Sequence, residues 1–192
     1  MRRNRKITNT LTIDQLQELL QIQKEFDDRI ETKNPKDTHK AYVEEFFEWY
    51  NTIEPFKNWK KLKGKPIEEQ LDELSDMLAF ALSYVLMTES YEEPETYFCE
   101  IPELTNQYSF LAKLHKVISV TEYHKQNKHY ERTGDLEINH ILDLLVDVEL
   151  VLPFQIAVEY YSIDQLIDAY KKKMKRNHER QDGTADAGKG YV

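Results

Sequence analysis

One cysteine, Cys99, in 192 residues leaves no intramolecular disulfide to be made, which suits a reducing compartment such as the cytoplasm. Glycine is nearly as scarce. There are five, and Gly183, Gly188 and Gly190 crowd the C-terminal end. The body of the chain therefore lacks the turn glycines on which strand-and-hairpin folds rely, and a helical architecture is favoured. Long apolar runs are missing too: the longest, Met77 to Met87, includes Ser83 and is too short to span a bilayer. The basic start, Met1-Arg2-Arg3-Asn4-Arg5-Lys6, has no apolar segment behind it and reads as a solvated tail rather than a secretory signal. Positive charge is in deficit, 26 Lys and Arg against 35 Asp and Glu, for a net charge of −9. Such a chain lacks the broad basic face that nucleic-acid backbones require. Neither nucleic acid nor membrane is expected as a partner, whereas a small phosphorylated ligand carried in with a metal remains compatible.

What is present suffices for one well-packed domain: 40% of the residues are hydrophobic and 11% aromatic. Thr12 and Gln15 fit a capping box, with Leu11 and Leu16 as the accompanying hydrophobic staple. The helix they start carries an inward stripe of Leu16, Leu19, Leu20, Gln23, Phe26, Asp27 and Ile30, in which two positions are polar. A second helix is expected over about 37–51, ended by Pro55. A basic aromatic segment, Phe56-Lys57-Asn58-Trp59-Lys60-Lys61, and a turn at Gly64 and Pro66 follow. The third helix is expected over 67–88, with Leu71, Leu74, Leu78, Ala81, Leu82 and Val85 at helical spacing. Helical patterns continue over about 103–132 and 136–151, and Pro153 is expected to interrupt or kink the next segment. A last helix starts near Ser162, where Ser162 and Gln165 repeat the capping spacing, and turns basic towards Arg180. The organisation expected is one all-α domain over 1–181 and a mobile, glycine-containing tail over 182–192.

Two carboxylate pairs stand out within these helices. Glu45 and Glu48 lie in Glu44-Glu45-Phe46-Phe47-Glu48, and Glu73 and Asp76 in Glu73-Leu74-Ser75-Asp76. Residues three apart on a helix share a face, so two such helices packed together would gather four carboxylates. Either pair alone would pass for a solvated helix face. The surroundings argue otherwise, because Phe46, Phe47, Trp49 and Tyr50 flank one pair, and Leu74, Met77, Leu78 and Phe80 flank the other. Acids set this deep need a partner. A buried ion pair with a lysine is one solution. A hard divalent cation such as Mg²⁺, which takes oxygen ligands and also binds phosphates, is the better one for four carboxylates together.

The order Glu44-Glu45-Phe46-Phe47-Glu48, then Glu73-Leu74-Ser75-Asp76, resembles the EExxE…ExxD signature of the all-α nucleoside triphosphate pyrophosphohydrolases. Four further segments are similar to the dimeric dUTPases of that superfamily, as found in trypanosomatids, some bacteria and bacteriophages, with the phage enzymes of staphylococcal type the nearest in style. They are Leu20-Gln21-Ile22-Gln23-Lys24-Glu25-Phe26-Asp27-Asp28, Phe56-Lys57-Asn58-Trp59-Lys60, the series Tyr170, Lys173, Asn177, Arg180 and Gln181, and the closing Gly190-Tyr191. Two departures are visible. Phe56 stands where a tryptophan is common, and residues 182–189 separate Gln181 from Gly190-Tyr191. Residues 91–151 match no motif and would correspond to the family's variable helical region, a surface a protein partner could use.

The resemblance implies an all-α helical bundle, a homodimer, and Mg²⁺-dependent hydrolysis of dUTP, and of dUDP, to dUMP by attack of water on phosphorus; for a phage protein the host cytoplasm would be the place of action. It implies Glu45, Glu48, Glu73 and Asp76 as metal ligands, with Glu48 also favoured as the base. Lys173, Asn177 and Arg180 would bracket the distal phosphates, and Gln23 and Asp27 would line the nucleoside end, or else be satisfied by hydrogen bonds in the core. Trp59 would pack on the nucleotide or close the core. Lys57 and Lys60 would touch phosphate or be merely solvated, and Tyr191 would close the site. His124, His129 and Cys99 carry no metal or nucleophile pattern. The rival readings are a related pyrophosphohydrolase acting on dCTP or a modified nucleotide, and a regulatory binding protein that captures a partner through 91–151.

Overall fold

The computed structural model describes residues 11–88, 150, 152–186 and 188. Helices α1 (Ile13–Asp27), α2 (Pro35–Ile53) and α3 (Ile67–Thr88) are followed by a helical stretch at residues 152–160, α4, and by α5 (Ile163–Gln181). No strand occurs among the described residues, so the expected all-α bundle is what forms. No helix among them is long and apolar enough to cross a membrane. The patterns at 103–132 and 136–149, the basic start, Cys99, His124, His129 and Tyr191 lie outside the described residues.

Local chemistry sets the helix starts. At α1 the capping box closes both ways: the Gln15 N–H donates to Thr12 Oγ1 at 3.2 Å and the Thr12 N–H to Gln15 Oε1 at 2.9 Å. At α2 the Asp37 N–H donates to Asn34 Oδ1 at 2.9 Å, and Pro35 opens the first turn. At α5 the Gln165 N–H donates to Ser162 Oγ at 3.1 Å. Pro153, expected to interrupt or kink its segment, stands second in the described helical stretch 152–160, and residue 151 before it lies outside the described residues.

α3 is the hub. It packs against α2, α5 and α1, most extensively against α2. Its buried residues run almost all the way round, from Leu71, Leu74 and Leu78 to Met77, Ala79 and Val85, as befits a central helix. Leu16 and Leu19 of α1, Tyr42, Phe46 and Trp49 of α2, Phe154 of α4, and Leu166, Tyr170 and Met174 of α5 complete the core around it. Polar links fix the packing. Trp49 Nε1–H donates to Tyr161 Oη at 3.1 Å, and that hydroxyl donates to Gln70 Oε1 at 2.5 Å. The Tyr170 hydroxyl donates to Gln23 Oε1 at 3.0 Å, joining α5 to α1.

α2 ends on Glu54, which takes the left-handed conformation (φ 49°). Its carboxylate is almost fully buried and accepts from Lys57 Nζ at 2.6 Å, from Lys60 Nζ, and from the Gly64 N–H at 3.2 Å. Gly64 itself sits at φ 87°, and the Lys65 N–H returns to the Thr52 carbonyl at 2.8 Å. The connection between α2 and α3 is thus tied back to its own start, which fixes how the two helices face each other. The hydrogen bonds to both lysines hold Glu54 down to about 2 against the effect of burial.

Because Leu82 is fully buried at the hub, Leu82→Ala should lower the unfolding free energy by about 2–5 kcal/mol. Urea denaturation followed by circular dichroism measures this; a change under about 0.5 kcal/mol, the scale of a surface substitution, would contradict the packing described.

Candidate active site

α2 and α3 bring one oxygen each of Glu45, Glu73 and Asp76 within 4.8 Å of one another. Glu45 and Asp76 come from facing helices, and Glu73 lies one turn before Asp76, as the i, i+3 spacing requires. Glu48 is not in this group: it is exposed at the rim. Its charge nevertheless acts on both Glu45 and Glu73. The expected quartet is therefore a tight triad with a fourth carboxylate beside it.

Electrostatics mark the triad as short of positive charge. Burial first, then the charges of Asp76, Glu48 and Glu73, push Glu45 up to about 8. Burial, then Glu48, pushes Glu73 up to about 7. Asp76 is raised by burial, with Lys173 pulling the other way. Glu45 Oε2 is buried and has no hydrogen-bond partner. A buried acid with an unpartnered oxygen, grouped with two other carboxylates, fits a divalent cation taking oxygen ligands.

Lys173 reaches the same place from α5. Its side chain is only 8% exposed, and Nζ lies 2.6 Å from Asp76 Oδ2 and 2.7 Å from Asp72 Oδ2. Burial works against its charge, but the bonds to Asp72 and Asp76 overcome that and raise its pKa. The ion pair with a lysine that was considered for these acids is thus present at Asp76. Two turns on, Arg180 Nη1 donates to Asn177 Oδ1 at 2.9 Å and Nε to Asp186 Oδ2 at 2.7 Å. The Arg180 charge is close enough to act on Asp76.

Next to the triad is a cavity of about 380 Å³, lined among others by Gln23, Asp27, Asp76, Phe80, Ser83 and Asn177. Asp76 belongs to both the cavity wall and the triad. Gln23 Nε2 donates to Asp27 Oδ1 at 2.7 Å, and both side chains are buried. Asp27 Oδ2 has no hydrogen-bond partner, and burial raises the pKa of the group, with Ser83 and Gln23 working against it. The pair thus shares one buried hydrogen bond, leaves one Asp27 oxygen without a partner, and lines the cavity. Phe80 and Ser83 enter the wall without having been singled out for a site. Their signal was positional, one and two turns beyond Asp76 on the same helix.

A family model described as dUTPase matches residues 15–184. The chain belongs to the dUTPase family. A comparison with curated proteins gave no match. Family membership makes the protein a dUTP diphosphatase, a hydrolase of nucleotide metabolism whose class is generally metal-dependent.

Other expected site residues of this dUTPase fall elsewhere. Lys57 and Lys60 face Glu54, not the triad. The ion pairs with Glu54 were not among the expectations for these lysines, since Glu54 meets them only once the loop has turned back on the end of α2. Trp59 does not close the core: 71% of its surface is exposed, and Leu62 beside it is more exposed still. The tail expected to be mobile from Asp182 is engaged at its start. The Thr184 and Ala185 N–H groups return to the Glu179 carbonyl at 2.9 and 3.1 Å, and Arg29 bonds Asp182 at 2.6 Å. Asp186 pairs with both Arg176 and Arg180, which hold its carboxyl down to about 2. Asp72 was missed altogether, although its i, i+4 spacing to Asp76 was a visible signal.

The raised carboxyls fix how stability should vary with pH. Glu45 titrates near 4.5 when unperturbed and near 8 in the fold, so between those values the folded state binds more protons than the unfolded one. Stability from this group is complete below pH ~4.5 and lost as pH rises through ~8; Glu73 adds to the loss up to ~7. In chelator, the melting temperature should fall from pH 5 to pH 8, and added Mg²⁺ should raise it more at pH 8 than at pH 5. A flat profile in differential scanning fluorimetry would refute the triad's electrostatics.

Proposed function

We propose that this dUTPase uses Mg²⁺ as its metal, accepts dUDP as well as dUTP, and works as a homodimer. The observation that carries the reading is that Asp76 is shared between the carboxylate triad and the cavity, so a ligand filling the cavity extends directly onto the triad. A cavity of this size suits a nucleoside. Gln23 and Asp27 offer an amide and a carboxyl to the base or sugar edge, and Phe80 offers an apolar wall. The polyphosphate then runs past Asp76, with Lys173 and Arg180 as its positive flank and Asn177 between them. Tyr191 is assigned to the closed site on the family resemblance alone. Lys57, Lys60 and Trp59 would act at the outer edge of the site; their pairing with Glu54 supports a role in holding that edge rather than in gripping phosphate.

Glu45, Glu73 and Asp76 would hold Mg²⁺, with Glu48 completing the set from the rim. Bound there, the ion would neutralise phosphate oxygens and acidify the attacking water. The residues' own part is positional and protolytic. The triad keeps the reacting phosphorus beside Glu48. Glu48, standing outside the tight group, accepts the proton of the water as it adds to phosphorus. The bond to the departing pyrophosphate breaks, or to phosphate in the case of dUDP, and dUMP remains. Lys173 and Arg180 balance the charge that collects on the leaving group. The homodimer follows from the family resemblance, and the exposed apolar side chains, among them Phe47, Phe56, Trp59 and Leu62, offer apolar surface that a second copy could cover; light scattering should return twice the chain mass.

Pyrophosphate release should be fastest with dUTP in a panel with dCTP, dTTP and UTP; a preference for dCTP would move the chain to the sister specificity. Glu48→Gln should lower kcat by about 10²–10⁴-fold with a smaller change in KM. Hydrolysis at the parental rate in this variant would remove Glu48 from the mechanism.

A further inference from the structure

Lys173 is gripped by two carboxylates, and only one of them belongs to the triad. Nζ lies 2.6 Å from Asp76 Oδ2 and 2.7 Å from Asp72 Oδ2, with the lysine side chain 8% exposed. Asp72 and Asp76 are four apart on α3, so they stand one turn above the other on the face that α5 covers. Asp76 meets two demands. It must pair with a buried ammonium, and on the reading proposed above it must also give oxygen to a divalent cation. One carboxylate serving two cations would be a contest, and an ammonium with no other seat would stay at Asp76 and oppose the metal. Asp72 supplies that other seat. It lies outside the group of three whose oxygens converge, and its side chain is 57% exposed, so it is tied to the site through the lysine and not through the metal.

We propose that Asp72 is a positioning residue: it seats the Lys173 ammonium beside the triad, so that Asp76 is released to a divalent cation while the lysine stays charged and in place for phosphate. Without Asp72 the lysine settles on Asp76 alone, and the cation must compete with it. The interaction is specific to the pair Asp72–Lys173, which separates it from a general loss of negative charge near a metal site. A general loss would weaken cation binding whether or not the lysine were there.

The test is a double-mutant cycle on the full chain with Asp72→Asn, Lys173→Gln and both together, reading Mn²⁺ affinity of the nucleotide-free protein by water-proton relaxation. Asp72→Asn should weaken Mn²⁺ binding by about three- to tenfold in the parent and by less than about twofold once Lys173 is replaced. Asp72→Glu should restore most of the affinity. In dUTP hydrolysis the change should fall on the half-saturating Mg²⁺ concentration more than on kcat. Equal weakening in both backgrounds would reduce Asp72 to a point charge and overturn the proposal, as would unchanged affinity in Asp72→Asn. The proposal rests on the metal reading of the triad, but the two fail separately. Coupling in the Mn²⁺ cycle without dUTP hydrolysis would keep the positioning role and sink the nucleotide reading. Metal-dependent hydrolysis without coupling would do the reverse.

Discussion

Like charges held together against their own repulsion are the constraint on which the rest of this molecule depends. Glu45, Glu73 and Asp76 converge where α2 meets α3, and they do so because the apolar residues on either side leave them nowhere else to go. Two unit charges at about 4 Å repel by roughly 4 kcal/mol in a partly screened protein environment. Burying one Leu or Phe side chain contributes about 1.5–3 kcal/mol. Phe46, Trp49, Leu74, Met77 and Leu78, all essentially buried, therefore outweigh the repulsion of a few acids. The helices pack and the acids remain under strain, met in part by proton uptake at Glu45 and Glu73 and in part by Lys173. Removing the hydrophobic contacts would let the acids separate; removing the acids would leave the helices packed. The dependence runs in that direction.

The same constraint explains why α5 carries both structural and chemical residues. Its Leu166, Tyr170 and Met174 enter the core, and this holds Lys173 at a height where its ammonium meets Asp72 and Asp76 together. Tyr170 then ties Gln23 in place from the other side, and the polar wall of the cavity follows. Fold and site are positioned by one set of contacts, and a shift of α5 by a single turn would misplace the lysine, the glutamine and Asn177 at once.

Much of this was legible from local periodicity. The bounds of α3, the cap of α1, the inward polar positions Gln23 and Asp27, and the convergence of Glu45 with Glu73 and Asp76 follow from spacing along one or two helices. What spacing could not disclose was the identity of partners across the fold. Asp72 reads as one more surface acid beside a motif until Lys173 arrives from far along the chain. Glu54 reads as a helix-end acid before a proline until Gly64 returns to it. Trp59 reads as either a nucleotide contact or a core residue, and its exposure rules out the second; it lies in the loop that the tie of Glu54 to Lys57 and Lys60 folds back. Asp186 lay in a segment whose glycines suggested freedom, and two arginines one to three turns earlier on α5 hold it. In each case the deciding term is an ion pair or a loop closure, which has no period.

The separation in sequence between Lys173 and its two acids has an effect on how the contacts can form. α2 and α3 are near neighbours along the chain, joined by a connection that Glu54 folds back on itself, so bringing them together closes a short loop at little entropic cost. α5 follows α3 across a much longer stretch of chain, and its docking closes a larger loop. That docking brings Lys173 to Asp72 and Asp76 in the same motion that seats Leu166, Tyr170 and Met174 in the core, so the countering of the acids and the closure of the core are one event.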